Sequence, residues 1–264
     1  MEDHELNRAS WDRLAEVHGQ DAYYDAAALC AGASSLIPEE ESALLAALGP
    51  DIGGKRILHL QCHLGFDAIT FARRGARVAG VDFSTVALEK ARELSRRCGV
   101  DVEWICADAV ALPASLIGRF DLVWATIGVL CWIADAAAWM RGVARVLVPG
   151  GKLVLIDGVP KPMYLEALTE GAADDRAQFR RVIDEGLDYA TPLRTGPQVE
   201  FYRSTRTVID AATGAGLGIR HFEEHRSIST DLRLGHVRGS DGRFGKPDGR
   251  VVLFTLIAER LPPG

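Results

Sequence analysis

The chain has 264 residues, 48% hydrophobic and 25% charged, with a formal net charge of −6. That suits one sizeable core with appended segments, and an acidic chain without a basic stripe excludes a broad nucleic-acid-binding surface. No apolar run reaches membrane-spanning length, and the start, "MEDHELNRASWDRL", has no apolar signal core, so a cytoplasmic protein is expected. Residues 1–50 read as a cap of two or three helices, and Pro38 in "PEEESALLAALG" suits a first helical turn. Five short runs follow that are rich in Ile, Val and Leu: Ile57–Cys62, Arg77–Val81, Val102–Cys106, Phe120–Ala125 and Lys152–Ile156. Such runs suit parallel strands buried on both faces. Helical patterns at Phe66–Arg74 and Ser84–Arg97 separate the first three, and Ser84 is a helix cap. A further helix over Asp135–Leu147 stops at "VPGGK", where Pro149 and two glycines turn the chain into the next strand.

Residues 158–203 show no strand rhythm and many prolines, glycines and charges, which predicts a lid or substrate-binding insertion. Thr205–Gly214 reads as a helix, and "GLGIRHFEEH" and "RVVLFTLIAER" as two closing strands with turns around "GSDGRFGKPDG". The alternation predicts an α/β fold, a doubly wound, mostly parallel sheet of seven strands with right-handed crossovers. The expected division is a cap over 1–50, a core over 51–157 and 204–264, and the insertion over 158–203. Five cysteines (30, 62, 98, 106 and 131) are scattered, with no CxxC and no Cys/His zinc spacing. Reduced, mostly buried thiols and no metal are expected.

The stretch "RILHLQCHLGFDAITFARRGARVAGVDFS" reads as strand, turn, helix and strand, closed by Asp82. A nucleotide-type cofactor is usually held that way. At the end of the second strand a carboxylate can accept hydrogen bonds from both hydroxyls of a ribose. The other reading is a cap for the next helix, although Ser84 is the better cap. The turn lacks G-x-G-x-x-G, which counts against a dinucleotide.

Four segments together resemble class I S-adenosylmethionine-dependent methyltransferases: "ILHLQCHLG", "VAGVDFS", "WICADAVALP", and "FDLVWATIGVLCWI" followed by "VLVPGGKLVLID". The variant "LHLQCHLGFD" looks like a subgroup of bacterial small-molecule methyltransferases with a similar N-terminal segment. The departures are His59, where the family has a carboxylate, and Gln61 and His63 in place of two loop glycines; Gly65 remains. The resemblance implies a Rossmann-like methyltransferase fold with S-adenosylmethionine as cofactor and S-adenosylhomocysteine as product. It implies cofactor contacts from Trp11, Gln61, Cys62, His63, Gly65, Asp82, Phe83, Asp108, Ala109 and Thr126. Acceptor contacts are expected from His18, Tyr23, Tyr24, Cys131, Trp132, Asp157, Tyr202 and Arg203. His63 and His225 are the candidate bases if the acceptor is a hydroxyl. The acceptor is expected to be a small molecule, first of all a secondary metabolite, methylated at oxygen or nitrogen by a monomer or homodimer. Two alternatives stand: an S-adenosylmethionine-binding protein that does not methylate, and an NAD(P)-binding Rossmann oxidoreductase.

Overall fold

The computed structural model of the protein describes residues 3–19, 23–159, 179–187, 194–231 and 236–262. Three helices come first: α1 (Asp3–Val17), α2 (Ala26–Cys30) and α3 (Pro38–Leu48). The alternating part runs β1 (Arg56–Leu60), α4 (Phe66–Arg73), β2 (Arg77–Asp82), α5 (Thr85–Arg97), β3 (Glu103–Cys106), β4 (Phe120–Thr126), α6 (Ala136–Val146) and β5 (Leu147–Gly158). After it come β6 (Phe179–Leu187), β7 (Arg194–Tyr202), α7 (Thr205–Gly214) and β8 (Leu217–His225), three two-residue strands β9 (Ser227–Ile228), β10 (Val237–Arg238) and β11 (Phe244–Gly245), and β12 (Leu253–Arg260).

The main sheet has the expected seven strands, in the order β3-β2-β1-β4-β5-β12-β8. The first five are mutually parallel, and β12 runs antiparallel to both β5 and β8. Ile57, Leu58 and Leu60 of the central β1 are fully buried. Leu58 and Leu60 pack with Trp139, Met140 and Val143 of α6. Ile57 packs on the other face, with Phe71 of α4 and Trp124. Successive strand residues point to opposite faces, so both sheet faces are covered. The strand order reverses between β1 and β4, and that switch point opens a crevice beyond their carboxyl ends.

Three expectations are corrected. The 158–203 segment was read as lacking strands, yet its described part forms an antiparallel pair, β6 with β7. Register shifts at Gly186, together with Gly196 and Pro197, break the alternation that would have revealed it. The rest of that expected insertion, 160–178 and 188–193, lies outside the described residues. β5 begins at Leu147, before the Pro-Gly-Gly turn, with a register shift against β4 between Phe120 and Leu122. Finally, Cys30 and Cys98 are joined as a disulfide, whereas Cys62, Cys106 and Cys131 are free. α2 packs against α5 and brings the two Cα atoms to 4.6 Å, across a sequence separation of 68 that spacing does not betray.

Trp104 of β3 lies under the turn between β1 and α4. A Cβ at Gly65 would stand 2.1 Å from its ring, and one at Gly80 would stand 2.4 Å away. Glycine at these positions therefore serves the packing of an indole. Gly80→Ala is expected to cost about 1–3 kcal/mol through overpacking, measured by urea unfolding. In a Trp104→Leu background the cost should fall to a small fraction of that; an equal cost in both backgrounds would contradict the packing account.

Candidate active site

The site is built from the loops that follow the parallel strands. The turn after β1 holds three left-handed residues: Gln61 (φ 57°), His63 (φ 47°) and Gly65 (φ 74°). The first two stand at the positions where the sequence lacks glycine, so the backbone keeps a glycine-type path without glycine. Side chains hold it there. Gln61 Nε2 donates to Val129 O at 3.1 Å, and its Oε1 accepts from Trp139 Nε1 at 3.1 Å. His63 N donates to Asp82 Oδ2 at 2.8 Å, and His63 Nε2 shares a 2.8 Å hydrogen bond with Nδ1 of the buried His18.

Asp82 closes β2. It is buried, and its Oδ1 accepts from Ser84 N at 2.9 Å. With the backbone N–H of Phe83 as a further donor, the carboxylate still keeps some acceptor capacity. Burial pushes the carboxyl up to about 6, against the lowering effect of those backbone donors. Ser84 Oγ accepts from Ala87 N and donates to Asp12, which confirms it as the helix cap. The cap reading of Asp82 is thereby set aside.

Between the strand ends and the N-terminal helices lies a cavity of about 660 Å³. Gln61, Cys62, His63, Gly65, Asp82 and Phe83 border it from the sheet side. Thr126, Cys131 and Trp132 border it from the segment after β4, and Trp11, Tyr23 and Tyr24 from the cap. The aromatic rings touch: Trp11 lies edge-on to His63 at 5.1 Å and to Trp132 at 5.5 Å, and His63 is 5.4 Å from Tyr24.

Seven of the expected residues do not border this cavity. Asp157 was expected at the acceptor, but its carboxylate accepts from the backbone N–H groups of Gly128, Val129 and Leu130 at 2.7–3.1 Å. Burial raises its pKa, and those N–H groups oppose the rise. Arg203 donates to the carbonyls of Leu130 and Ile133, and burial lowers its pKa to about 10. The two residues clamp the segment that carries Cys131 and Trp132. Tyr202 hydrogen-bonds Glu200. His225, a candidate base, lies in β8 with its Nε2 on Thr255 Oγ1 at 2.8 Å. Asp108 accepts from Val110 N and pairs with His4 Nε2 at 3.2 Å, with Ala109 buried beside it. His18 also lies outside the lining, behind His63.

Sequence reasoning missed the floor of the cavity. Glu40, His59 and Asp67 border it there, and Thr195, Gln198 and Glu200 of β7 border it opposite. Asp67 Oδ2 accepts from Trp124 Nε1 at 3.0 Å and from Thr126 Oγ1 at 3.2 Å, and Oδ1 accepts from Ser35 Oγ at 2.7 Å. Glu40 is raised well above the usual carboxyl range by burial first, then by the negative charge of Asp67. Glu40 stands in an acidic run that reads as a solvated helix face. Asp67 alone had a signal, its place two residues after Gly65.

Residues 57–151 match the family described as "Methyltransferase domain". Over those residues the chain is similar to a methyltransferase domain. It is 38% identical to the demethylmenaquinone methyltransferase of Thermus thermophilus over 131 residues, 49% of this chain and 56% of that protein. It is 37% identical to the 27-O-demethylrifamycin SV methyltransferase of Amycolatopsis mediterranei over 131 residues, 48% and 47% of the two chains. The chain thus spans about half the length of these curated relatives. Among solved structures, an S-adenosylmethionine-dependent methyltransferase from Mesorhizobium loti is 26% identical, with a TM-score of 0.55 over 88% of this chain and 100% of that one. The [4+2]-cyclase SpnF, 21% identical with a TM-score of 0.55, shares the fold over 88% of this chain and 84% of its own.

The clamp on the 126–133 segment is testable. Asp157→Ala leaves four N–H groups, those of Gly128, Val129, Leu130 and Gly158, without their acceptor, at about 1–3 kcal/mol each, so a loss of at least about 3 kcal/mol is expected in urea unfolding. Asp157→Asn, which keeps one acceptor oxygen, should lose less. A loss under about 1 kcal/mol for the alanine variant would contradict the clamp.

Proposed function

We propose that the protein is an S-adenosylmethionine-dependent methyltransferase that acts on oxygen or nitrogen of a small molecule, first of all a secondary metabolite. The observation that carries this reading is Asp82: a buried carboxylate at the end of β2, with acceptor capacity to spare, bordering a large cavity in a domain similar to methyltransferases. Such a carboxylate fits the hydroxyls of a ribose. Phe83 follows Asp82 at the cavity wall and fits an adenine face. At the far end Asp108 is held by His4, whose ring lies 5.3 Å from Phe83. Adenine contact with Asp108 and Ala109 therefore requires the start of α1 to shift.

When bound, the cofactor supplies an electrophilic methyl group on a sulfonium. The protein's part is to align the acceptor and to exclude water, effects that supply roughly 7–11 kcal/mol in favourable cases. Trp11, Trp132 and Tyr24 border the cavity, and the face of such a ring attracts a cation. His63, oriented by His18, is the base we assign for a hydroxyl acceptor. α1, α2 and the β6–β7 hairpin form the roof, so residues 1–50 and 158–203 serve as cap and lid on the core of 51–157 and 204–264. The cavity volume lies in the range of drug-sized ligands, which supports a small acceptor over a nucleic acid. We place the protein in the cytoplasm as a monomer or homodimer; among the described residues no helix is long and apolar enough to cross a membrane.

Calorimetry should detect binding of S-adenosylmethionine and S-adenosylhomocysteine and none of NAD. Binding of NAD alone would establish the oxidoreductase reading, and cofactor binding without turnover on any acceptor the non-methylating one. Asp82→Ala should weaken S-adenosylhomocysteine by about 1.5–3 kcal/mol. Ribose hydroxyls favour the ionised carboxylate, so affinity in the wild type should fall by up to about tenfold per pH unit as pH drops below about 6. That fall should vanish in Asp82→Asn; an identical pH profile in both would exclude Asp82 as its source. For a hydroxyl acceptor, His63→Ala should lower turnover by about 10²–10⁴-fold, and a loss below tenfold would remove His63 as base.

A further inference from the structure

We infer that the acidic floor of the cavity, formed by Glu40 and Asp67, is a binding site for a protonated amine. This deepens the methyltransferase reading, and it rests on that reading only for which molecule carries the amine. The two carboxyl groups come from different helices: Glu40 of α3 accepts from Ile37 N at 2.9 Å, and Asp67 of α4 accepts from Thr126 Oγ1 of β4 at 3.2 Å. Neither is paired with an arginine or lysine among the described residues. The contrast with the adjacent glutamates is sharp. Glu39 pairs with Arg243 at 2.8 Å, and Glu41 pairs with Arg74. Of three consecutive acids, the one that borders the cavity is the one without a cation.

His59 supplies a second, independent observation. It is 4% exposed, it borders the same cavity, and its Nδ1 has no hydrogen-bond partner. An unsatisfied buried polar atom is unfavourable unless a ligand completes it. Its Nε2 lies 4.0 Å from Asp67 Oδ2, and burial lowers the pKa of the ring, which favours the neutral imidazole and leaves one nitrogen as acceptor. The floor therefore offers acceptors and negative charge without a counterion. An ammonium group has three N–H donors and one positive charge, and it matches both needs. A bare metal ion does not match: no grouping of three or more His, Cys, Asp or Glu suited to one occurs among the described residues. The wider cavity agrees. Asp25, Asp82, Glu200 and Asp231 also border it, no lysine or arginine does among the described residues, and Tyr24 and Phe66 lie 5.5 Å apart on its wall.

Two amines are available under the proposed function: the α-amino group of the cofactor and an amine on the acceptor. Titrations of the wild type, Asp67→Asn and Glu40→Gln separate them, with each variant's fold checked by circular dichroism. One arm compares S-adenosylhomocysteine with 5′-methylthioadenosine, which lacks the amino-acid end. The other compares phenethylamine with 2-phenylethanol, on the S-adenosylhomocysteine-saturated protein and on the unliganded protein. We expect at least tenfold loss in Asp67→Asn for the charged member of one pair, with its uncharged counterpart changed less than twofold. A loss confined to S-adenosylhomocysteine assigns the floor to the cofactor's amine; a loss confined to phenethylamine assigns it to the acceptor's. Equal loss within both pairs, or no loss in either variant, overturns the proposal. A wild type that ignores both nucleosides while binding phenethylamine over 2-phenylethanol in an Asp67-dependent way would sink the methyltransferase reading and leave the amine site standing.

Discussion

The turn from β1 into α4 is the constraint from which the cavity follows. It places three left-handed residues in five positions, and two of them, Gln61 and His63, carry side chains. A left-handed residue other than glycine costs about 1–2 kcal/mol, and such strain persists only where the surroundings over-determine it. Here they do. Gln61 is held at both ends of its amide, by the segment after β4 and by Trp139 of α6. His63 is held by Asp82 through its backbone and by His18 through its ring. The replacement of two glycines thus joins the turn to the segment after β4, to α6 and to the N-terminal cap by side-chain hydrogen bonds that glycine does not make.

Strand-end carboxylates do two different things in this fold. Asp157 is used up, since three N–H groups of one loop and that of Gly158 converge on it, and it does not border the cavity described above. Asp82 is only partly used: the N–H groups of His63, Phe83 and Ser84 fix its orientation, and acceptor capacity remains on a residue that borders the cavity. Both are buried and both are raised by burial, so a shifted pKa does not separate the clamp from the proposed ligand site. The number of donors already spent does. A fully satisfied buried carboxylate stabilises a loop, whereas one with remaining acceptor capacity at a cavity wall carries a vacancy that a ligand can complete.

The parallel strands were legible because each is a short apolar run buried on both faces, and the loop residues after β1 and β2 were legible because strand ends locate them. Ser84 was readable as a cap because capping is a matter of neighbours in sequence. What stayed hidden depends on distant partners. Glu40 sits in "PEEES", where its paired neighbours Glu39 and Glu41 look identical to it in sequence. Cys30 and Cys98 meet only because α2 packs on α5. His225 looked like a strand-end base, but β12 places Thr255 within 2.8 Å of it. The β6–β7 hairpin was missed because glycines and a proline interrupt a two-stranded pairing that lacks the long apolar runs of the central sheet.

α1 is joined to two bodies, and the joints differ in kind. To β7 it is tied by a reciprocal pair of buried hydrogen bonds between Asn7 and Val199, both at 2.8 Å, and by Arg13 on the carbonyl of Thr195. The Asp3–Arg180 pair adds little, being exposed. To the core, α1 and the turn after it are tied by single polar contacts, and three of these end on the loops after the first three strands. His18 meets His63 after β1, Asp12 meets Ser84 after β2, and His4 meets Asp108 after β3. The same three loops hold the residues read as cofactor contacts. A ligand that recruits Asp108 therefore competes with His4 for the same carboxylate, while the bonds to β7 keep the helix and hairpin together. Under the proposed function, the contacts that tie α1 to the core lie on the loops assigned to the cofactor, so the binding of a cofactor there and the position of α1 are linked through His4, Asp12 and His18 without any further element.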